Sequence, residues 1–343
     1  MAALVIDAPS TVTLTDVPVP GPQPGQCIIR TSYVGLCGTD AALFDGTSSY
    51  LHTGAMHYPF VFGHEWSGTV VAAADDVRAY TPGDRVVGYN VISCDTCRAC
   101  RTGHRVVCEN RIEVGVFGNY PGAASTYFAV PAKVLAPIPE CLSDRDAALL
   151  EPGTTALHAV TRARVREEDA VLVFGTGTLG LITVQLCVAF GATVDVIGVE
   201  EAGLALARQF GARATLAPAD APENTYDVVI EASGSLSAGA QVPHVLRDGG
   251  RVALIGVAHT PIPNFHTVPL VLKNAEVHGV LSGIEQWDRL IALVGAGKVD
   301  LGRLVESEFP PARAADAFAL LGSRDKSRPK VMINFRDQED RQW

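Results

Sequence analysis

The chain has 343 residues, which exceeds the size at which one hydrophobic core usually stops growing, so two domains are expected. Hydrophobic residues make up 48% and charged residues 19%, a composition typical of a folded globular protein and not of a disordered chain. The formal net charge is −10 and no stretch gathers enough Lys and Arg to neutralise many phosphates, so no nucleic-acid partner is expected.

No segment has the pattern of a membrane span or a secretory leader. The longest apolar run, residues 179–190, is shorter than the roughly 20 residues that cross a bilayer. The first residues carry no basic region and no cleavage-site pattern, so we expect a cytoplasmic protein without a membrane partner. In that reducing compartment eight cysteines favour metal binding over disulfides, and their spacing, four clustered and four scattered, implies two different roles.

Residues 1 to about 90 have the pattern of an all-β barrel or sandwich. Short β-type runs, such as 27–34 and 68–73, alternate with clusters of Pro and Gly. The segment 93–110 that follows has neither a helical nor a strand period, so something other than a hydrophobic core must hold it. We expect that this lobe is held by a metal.

The lobe contains four of the eight cysteines, Cys94, Cys97, Cys100 and Cys108. Four thiolates close a tetrahedral zinc shell and leave no position for a substrate. The spacing therefore predicts a structural zinc, and the number of thiols argues against a redox role.

A catalytic zinc needs three protein ligands and an open position, and Cys37 and His64 are the candidates for it. Both flank glycines in turn contexts, and Glu65, next to His64, can ligate the metal or support its ligands. Taken singly, each has a more ordinary interpretation: Cys37 as a buried apolar side chain, His64 as a core histidine and Glu65 as a salt-bridge partner. Only their combination favours a metal.

Strands and helices alternate from residue 152 to about 285. The predicted strands are 170–174, 193–199, 226–231 and 251–256, and the predicted helices are 179–190, 201–210 and 236–246. This alternation predicts a parallel, doubly wound sheet of the Rossmann type. After it, a helix at 286–295 and a strand at 330–335 are expected to pack on the first domain.

A glycine-rich turn follows the first predicted strand and opens the next helix; its residues are Gly175, Thr176, Gly177, Thr178, Leu179 and Gly180. In this context the pattern predicts a dinucleotide site, the alternative being a glycine-rich turn without a ligand. The first glycine permits the tight turn, the second lets the backbone approach a pyrophosphate and the third lets the helix pack closely. The helix N-terminus then stabilises the phosphate charge.

The acid that usually meets the adenosine ribose, about 20 residues after the turn, is missing. Its position falls on Gly198, with Glu200 and Glu201 just beyond it. A 2′-phosphate could enter there, but no arginine stands near in the sequence and the glutamates repel a phosphate, so NAD(H) is slightly favoured over NADP(H). The two glutamates could equally be a charged first turn that complements a helix dipole.

Together these motifs resemble the zinc-containing medium-chain dehydrogenase/reductase (alcohol dehydrogenase) superfamily. The resemblance rests on Gly-His-Glu at 63–65, Cys-Gly-Thr-Asp at 37–40, the cysteine lobe and the glycine turn. It is greatest to the sorbitol and threonine dehydrogenase branch, because Glu151 matches the glutamate that precedes the cofactor domain there.

The resemblance implies an α/β protein with a GroES-like β-barrel catalytic domain and a Rossmann cofactor domain. The first would comprise residues 1–151 and 286–343 and the second residues 152–285, with the active site between them. It also implies a homodimer or homotetramer that acts on a small molecule.

For the catalytic zinc the resemblance implies Cys37, His64 and Glu65, with Glu151 as an alternate or water-linked ligand. Zinc would act as a Lewis acid that lowers the pKa of a substrate alcohol, and the nicotinamide would take the hydride.

For proton transfer, the resemblance implies that Thr39 starts a relay. Sorbitol and threonine dehydrogenases carry a histidine where this chain has Ala42, so the relay is cut or rerouted. His52 or His57 could substitute for that histidine, and Asp40 is expected to be structural.

The sequence thus predicts a zinc-dependent, NAD(P)-linked dehydrogenase that interconverts a secondary alcohol and its ketone. Segments 63–68 and 334–337 also resemble dehydrogenases of deoxy-scyllo-inosamine, which implies a polyol, cyclitol or sugar-like substrate. Pocket residues are expected around Tyr50, Phe117 and Leu281. The alternatives are a zinc-family reductase of a polarised C=C or other bond and a non-catalytic zinc-binding protein, which the acidic composition disfavours.

Overall fold

The computed structural model describes residues 1–258, 260–263 and 265–338. The chain divides into two compact units: the described residues of Met1–Glu151, Val305–Ser323 and Lys330–Trp343, and those of Pro152–Leu304 and Arg324–Pro329. No helix within the described ranges is long and apolar enough to cross a membrane.

Most strands and helices of the first unit are short, because Pro and Gly interrupt the sequence often; the strands Gln26–Leu36 and Glu65–Ala73 are longer. The strands are β1 (Ala2–Ala8), β2 (Thr11–Asp16), β3 (Gln26–Leu36), β4 (Phe60–Val61), β5 (Glu65–Ala73), β6 (Arg85–Gly88), β7 (Val91–Ile92), β8 (Ile112–Glu113), β9 (Tyr127–Pro131) and β10 (Leu135–Pro137). The helices are α1 (Gly38–Asp45), α2 (Ser49–His52), α3 (Arg98–Arg101) and α4 (Asp144–Ala147), with 3-10 turns at Arg105–Val107 and Ala132–Val134.

Helix α5 (Leu150–Arg162) leads into the second unit, where strands and helices alternate. The strands are β11 (Ala170–Phe174), β12 (Thr193–Ile197), β13 (Ala214–Leu216), β14 (Tyr226–Glu231), β15 (Leu246–Leu254) and β16 (Glu276–Gly279). The helices are α6 (Thr178–Ala189), α7 (Glu201–Gln209), α8 (Leu236–Val245), α9 (Val268–Leu272) and α10 (Trp287–Gly295), with 3-10 turns at Pro218–Asp220, Ile284–Gln286 and Gly302–Leu304.

The strands of the second unit form one parallel sheet in the order β13-β12-β11-β14-β15-β16. This is the doubly wound order, and the predicted Rossmann-type sheet is confirmed. The order reverses between β11 and β14, so their carboxyl ends border the crevice where this fold binds ligands. Apart from half-buried Ala170, the residues of both strands are buried, as expected for strands covered by helices on both faces.

The chain then returns to the first unit with β17 (Val305–Phe309), a 3-10 turn at Pro311–Arg313, α11 (Ala314–Gly322) and β18 (Lys330–Asn334). The first unit's largest sheet runs β10-β6-β5-β3-β18-β17, with β9 also paired to β3. Strands β2, β1 and β4 form a second sheet, and β7 pairs with β8. Trp66 and Phe128 are buried in the core and pack with their rings perpendicular, 4.8 Å apart.

Residues 286–304, and also the later residues 324–329, were expected in the first domain but lie in the second unit. Leu290 of α10 packs against α5 so closely that a Cβ added to Gly153 would lie 2.6 Å from Leu290 Cδ2. Gln185 of α6 accepts a hydrogen bond from the Asp300 N–H at 2.6 Å and donates one to the Asp300 carbonyl at 3.3 Å. These contacts hold the segment in the second unit, so the chain rejoins the first unit only at Val305.

Candidate metal centres and cofactor site

The four cysteines of the lobe meet in the first unit. The sulfurs of Cys94, Cys97, Cys100 and Cys108 lie within 4.8 Å of one another, and none is in a disulfide. Three separations are 3.4 Å for Cys97–Cys100, 3.5 Å for Cys94–Cys108 and 3.9 Å for Cys97–Cys108. Sulfurs bound tetrahedrally at about 2.3 Å from one zinc lie roughly 3.8 Å apart. The donor set therefore fits a single zinc ion with a closed shell.

Backbone N–H groups point at these sulfurs. The Cys97 N–H donates to Cys94 Sγ at 3.4 Å, and the Cys100 N–H donates to Cys97 Sγ at 3.5 Å. Hydrogen bonds from Thr96 and Cys97 lower the pKa of the Cys94 thiol to about 5. The loop thus favours the thiolate, which is the form that binds metal.

Cys37, His64 and Glu65 form a second group, whose donor atoms also lie within 4.8 Å of one another. Cys37 Sγ is 3.2 Å from His64 Nε2. A thiolate and an imidazole on one tetrahedral zinc are roughly 3.6 Å apart. One sulfur, one nitrogen and one carboxylate fit a zinc that keeps an open position, and so meet the requirement of a catalytic site.

Helix α1 positions this group through its N-terminus. Cys37 is the N-cap residue, and its sulfur accepts the Thr39 N–H at 3.2 Å. The Asp40 carboxylate accepts the Cys37 N–H at 2.9 Å, which completes a capping box. The other Asp40 oxygen lies 3.4 Å from His64 Nδ1, so Asp40 can orient the imidazole with Nε2 towards the cysteine. Asp40 was expected to be structural; the Cys-x-x-Asp capping pattern is the signal for its second role.

Burial and charge act together on these side chains. Burial acts to raise the pKa of the Asp40 carboxyl. His64 and the Cys37 N–H act in the opposite direction and together outweigh burial, so the pKa lies below its ordinary value. Burial lowers the pKa of His64, whereas Cys37 and Asp40 raise it well above its ordinary value. Burial raises the pKa of the Cys37 thiol. A bound cation would offset that burial by stabilising the thiolate.

Lys330, which the sequence motifs did not indicate, is a fully buried lysine beside Glu65. Its Nζ lies 2.5 Å from Glu65 Oε2 and 3.0 Å from the Leu36 carbonyl oxygen. A Cβ added to Gly35 would lie 2.4 Å from Glu65 Oε2, so only glycine leaves room for this carboxylate. The ordinary interpretation of Glu65 as a salt-bridge partner therefore holds alongside its place in the metal group. The signal available in the sequence was a lysine directly before the apolar run Val-Met-Ile of the final strand.

Glu151 is buried but is not a member of this group of donor atoms within the described part of the chain. Burial raises the pKa of the Glu151 carboxyl to about 8, while His64 acts to lower it and Glu65 to raise it further. The charges of His64 and Glu65 therefore affect the pKa of Glu151, although Glu151 is not one of the clustered donors.

Two predicted pocket residues, Tyr50 and Phe117, contact each other with perpendicular rings 5.3 Å apart. The Arg111 guanidinium lies 4.7 Å over the Phe117 ring, and its Nε is 3.0 Å from Glu113 Oε1. Burial raises the pKa of both Tyr50 and Glu113, and His64 acts to lower both. Tyr50 and Glu113 thus lie within electrostatic range of His64. Leu281, the third predicted pocket residue, belongs to the second unit.

Ala42, where the relay histidine of the related dehydrogenases is missing, lies buried in α1. The two histidines considered as substitutes, His52 at the end of α2 and His57 in the next loop, are both exposed. In the same helix α2, the pKa of Tyr50 is affected by the charges of His64 and Cys37.

The glycine turn of the second unit has the three expected glycine environments. Gly175 has a φ of +106°, which other residues rarely adopt. A Cβ added to Gly180 would lie 2.0 Å from the Gly175 carbonyl oxygen, so the helix packs on the turn too closely for a side chain. At Gly177 a Cβ would meet nothing within 4 Å, and α6 begins at the next residue without a side-chain cap. Its N–H groups are therefore open to an anion.

A cavity of about 470 Å³ extends from this turn to the end of β12. Gly198 and Glu200 line it, together with Ser233 and, unexpectedly, Arg324. The sequence near Gly198 contains no arginine; the fold brings one from the distant segment Arg324–Pro329. Glu201 lies in the first turn of α7 and pairs with Arg208.

Two family models match the chain: Alcohol dehydrogenase GroES-like domain over residues 23–140 and Zinc-binding dehydrogenase over residues 178–296. The L-threonine 3-dehydrogenase of Anaeromyxobacter dehalogenans is 33% identical over 308 residues, which cover 86% of this chain and 87% of that protein. An uncharacterized zinc-type alcohol dehydrogenase-like protein of Escherichia coli K12 is 28% identical over 329 residues, 92% of this chain and 93% of that protein.

Solved structures are similar over nearly the whole chain. A zinc-binding dehydrogenase of Sinorhizobium meliloti 1021 bound to NADP has a TM-score of 0.89 and 27% identity, covering 97% of this chain and 98% of that one. An alcohol dehydrogenase of Escherichia coli CFT073 complexed with NADH has a TM-score of 0.89 and 25% identity, covering 97% and 99%. The chain therefore belongs to the zinc-containing medium-chain dehydrogenase/reductase (alcohol dehydrogenase) superfamily and is a zinc-type NAD(P) oxidoreductase with GroES-like and Rossmann-like domains.

Proposed function

We propose that the protein interconverts a secondary alcohol and its ketone by hydride transfer, with a polyol, cyclitol or sugar-like compound as substrate. The observation that carries this proposal is the group of Cys37, His64 and Glu65, whose thiol, imidazole and carboxylate converge in one place. The four cysteines of the lobe are a separate donor set that suits a structural zinc with four protein ligands. We therefore assign the catalytic role to the group of Cys37, His64 and Glu65.

Zinc held by these three side chains would act as a Lewis acid towards a substrate hydroxyl, while NAD(P) would accept the hydride. Asp40 holds the His64 ring so that Nε2 faces the metal position. The α1 N-terminus and the Thr39 N–H stabilise negative charge on the Cys37 sulfur. The chain's own residues thus fix the donor geometry.

We propose Glu65, and not Glu151, as the third donor. Its carboxylate has two oxygens, so one can stay with Lys330 while the other faces the metal position. Glu151 lies outside the donor group, and we assign it a position beside the metal ligands.

For proton transfer we propose that the Thr39 hydroxyl accepts the substrate's hydroxyl proton while its own proton passes to solvent water, because Thr39 follows Cys37 in the same turn and is only partly buried. Ala42 cannot carry the proton onward. The same alanine is the observation that favours a second candidate, a family reductase of a polarised C=C bond. For that reaction a relay to the substrate hydroxyl is unnecessary.

At the cofactor turn we propose that the pyrophosphate of NAD(P) binds the N–H groups at the start of α6, with Gly177 allowing its close approach. The solved relatives that carry NADP and NADH support a nicotinamide dinucleotide here. The preference for NAD(H) relied on two points, the lack of an arginine near Gly198 in the sequence and the repulsion of a 2′-phosphate by Glu200 and Glu201; Arg324 in the lining removes the first.

We propose a homodimer formed through the second unit. Strand β16 ends the sheet with its outer edge unpaired among the described strands. Beside it in the sequence, α9 exposes Val271 and Leu272 at 75% and 79%, and β16 exposes Val277 at 42%. An open edge flanked by exposed apolar side chains favours pairing with a second copy. Replacing Val271 and Leu272 by Glu should shift the protein to monomer in sedimentation analysis.

The enzymatic proposal is tested by following NADH or NADPH formation with polyols, cyclitols and simple secondary alcohols. Turnover with an alcohol is expected, whereas activity only with an activated alkene would support the reductase. In zinc analysis, Cys37→Ser should lose one zinc and all turnover while keeping its melting temperature. Cys97→Ser should lose the other zinc and melt at a lower temperature, because structural zinc stabilises the fold.

The matched control is Cys141→Ser, at an exposed cysteine outside both groups, which should keep both zinc ions and full activity. Equal loss of stability in Cys37→Ser and Cys97→Ser would contradict the division of roles between the two sites.

A further inference from the structure

The Thr176 side chain fills the space that a ribose-binding acid would need at the end of β12. Thr176 is buried and packs between two glycines. A Cβ added to Gly198 would lie 2.7 Å from Thr176 Cγ2, and one added to Gly203 would lie 2.5 Å from Thr176 Oγ1. With threonine at 176, therefore, neither position accepts a larger side chain without displacement. The packing of Thr176 therefore keeps the end of β12 without a charged side chain.

The loss of that carboxylate changes the charge that the adenosine end of the cavity presents. A carboxylate at the strand end binds the ribose 2′-hydroxyl and repels a 2′-phosphate. Here the cavity is bordered by the Thr176 and Ser233 side chains and by Gly198, none of which carries a charge. The side chains of Ser235 and Ser237 add hydroxyl groups that can donate to a phosphate.

Arg324 supplies a cation to the same cavity. Its side chain lines the cavity with Gly198 and Glu200, and the residue is exposed. Within the described part of the chain, no acidic side chain forms an ion pair with its guanidinium. A guanidinium presents several N–H donors in a planar fork and binds phosphate through two of them at once. An unpaired arginine in a nucleotide cavity is therefore well suited to a phosphate group.

We propose that Arg324 binds the 2′-phosphate of NADP(H) and makes NADP(H) the preferred cofactor, a proposal that rests on the proposed dinucleotide function. Three features support it: the uncharged end of β12, the Thr176 side chain that keeps it so, and the arginine brought by the segment Arg324–Pro329. Glu200, in the same lining, is the opposing charge. If Glu200 instead bound the ribose hydroxyls, the cofactor would be NAD(H).

Binding of adenosine 2′,5′-bisphosphate and of 5′-AMP to the zinc-loaded protein, measured by calorimetry, tests this without a substrate. The bisphosphate is expected to bind at least about tenfold more tightly, as a charge-assisted hydrogen bond provides. Arg324→Ala should bring the two affinities together by weakening the bisphosphate alone. The control Arg166→Ala removes an exposed arginine of the same unit that is outside the cavity lining, and should leave the ratio unchanged.

A second set of variants tests the packing argument. Gly198→Asp should lower the melting temperature, because its Cβ would lie 2.7 Å from Thr176 Cγ2 and 3.0 Å from Leu204 Cδ2. Thr176→Ala with Gly198→Asp should recover much of that stability, because it removes the closer of the two contacts, and should reverse the preference to 5′-AMP and NAD. Thr176→Ala alone should not reverse the preference.

Equal affinities in the unaltered protein, or an unchanged ratio in Arg324→Ala, would overturn the assignment of Arg324 and leave the dehydrogenase proposal standing. Weaker NAD binding in Glu200→Ala with no gain for NADP would also overturn it in favour of NAD(H). Failure of both adenosine nucleotides and both dinucleotides to bind would overturn the proposed function as well.

Discussion

Replacing Lys330 by Met is expected to destabilise the first unit strongly. The Lys330 and Glu65 side chains are only 1% and 2% exposed, and their charged atoms are 2.5 Å apart. Methionine fills much of the lysine volume but leaves the carboxylate of Glu65 buried without its counter-charge, and the Leu36 carbonyl without its donor. Breaking a buried pair from one side costs about 3–5 kcal/mol of unfolding free energy.

Urea unfolding followed by the fluorescence of Trp66 measures this cost in the correct unit, because Trp66 is buried in β5. The other tryptophans, Trp287 and Trp343, are replaced by Phe in every variant. The matched control is Lys133→Met, whose pair with Asp95 is 45% and 42% exposed and should contribute no more than about 1 kcal/mol.

A double variant separates the charge from the packing. Glu65→Gln combined with Lys330→Met removes both charges, so it should be more stable than Lys330→Met alone. If Lys330→Met costs less than about 1 kcal/mol, or if the double variant is the less stable of the two, the buried pair is not what stabilises this region.

Three further outcomes are expected. Asp40→Asn should weaken zinc binding at the Cys37 site about 10–100-fold in chelator competition and spare the cysteine lobe, because the carboxylate orients His64; equal weakening at both sites would contradict this. Gly180→Ala should lower the melting temperature, as overpacking costs about 1–3 kcal/mol, whereas Gly177→Ala should keep it and lose only dinucleotide affinity. Prolonged chelation should lower the melting temperature, and added zinc should restore it; an unchanged melting temperature would refute a structural zinc.

The buried strands of the second unit were predicted closely from the hydrophobic pattern of the sequence. Strands β11 and β14 begin and end where predicted, because strands buried on both faces appear in sequence as continuous apolar runs. Sequence analysis missed β13 and β16, the two edge strands, which have only three and four residues and no fully buried side chain. Such short and partly exposed strands carry too few apolar positions to show a period.

The residues of the candidate sites also fall into two classes. Some could be predicted from their local sequence, whereas others depend on segments that are distant in the sequence. Cys37 and His64 could be predicted because each stands in a glycine-flanked turn and has a donor chemistry suited to zinc. Lys330 and Arg324 could not, since each acquires its role only when a distant segment is brought to the site. Strand β18 carries the lysine to Glu65 by pairing with β3, which itself pairs with β5.

The buried charges around Cys37 also indicate what charge a metal ion bound in the first unit should carry. Cys37 as a thiolate, Asp40 and Glu65 would bring three negative charges into a largely solvent-excluded region. Lys330 supplies one positive charge, and buried charges are costly unless they are paired. A divalent cation with a neutral His64 would balance the remaining two, whereas without a metal a neutral Cys37 thiol and a protonated His64 would balance the two carboxylates with Lys330. The charge balance therefore suits a divalent cation with a Cys37 thiolate, and the sulfur, nitrogen and carboxylate donors favour zinc as that cation.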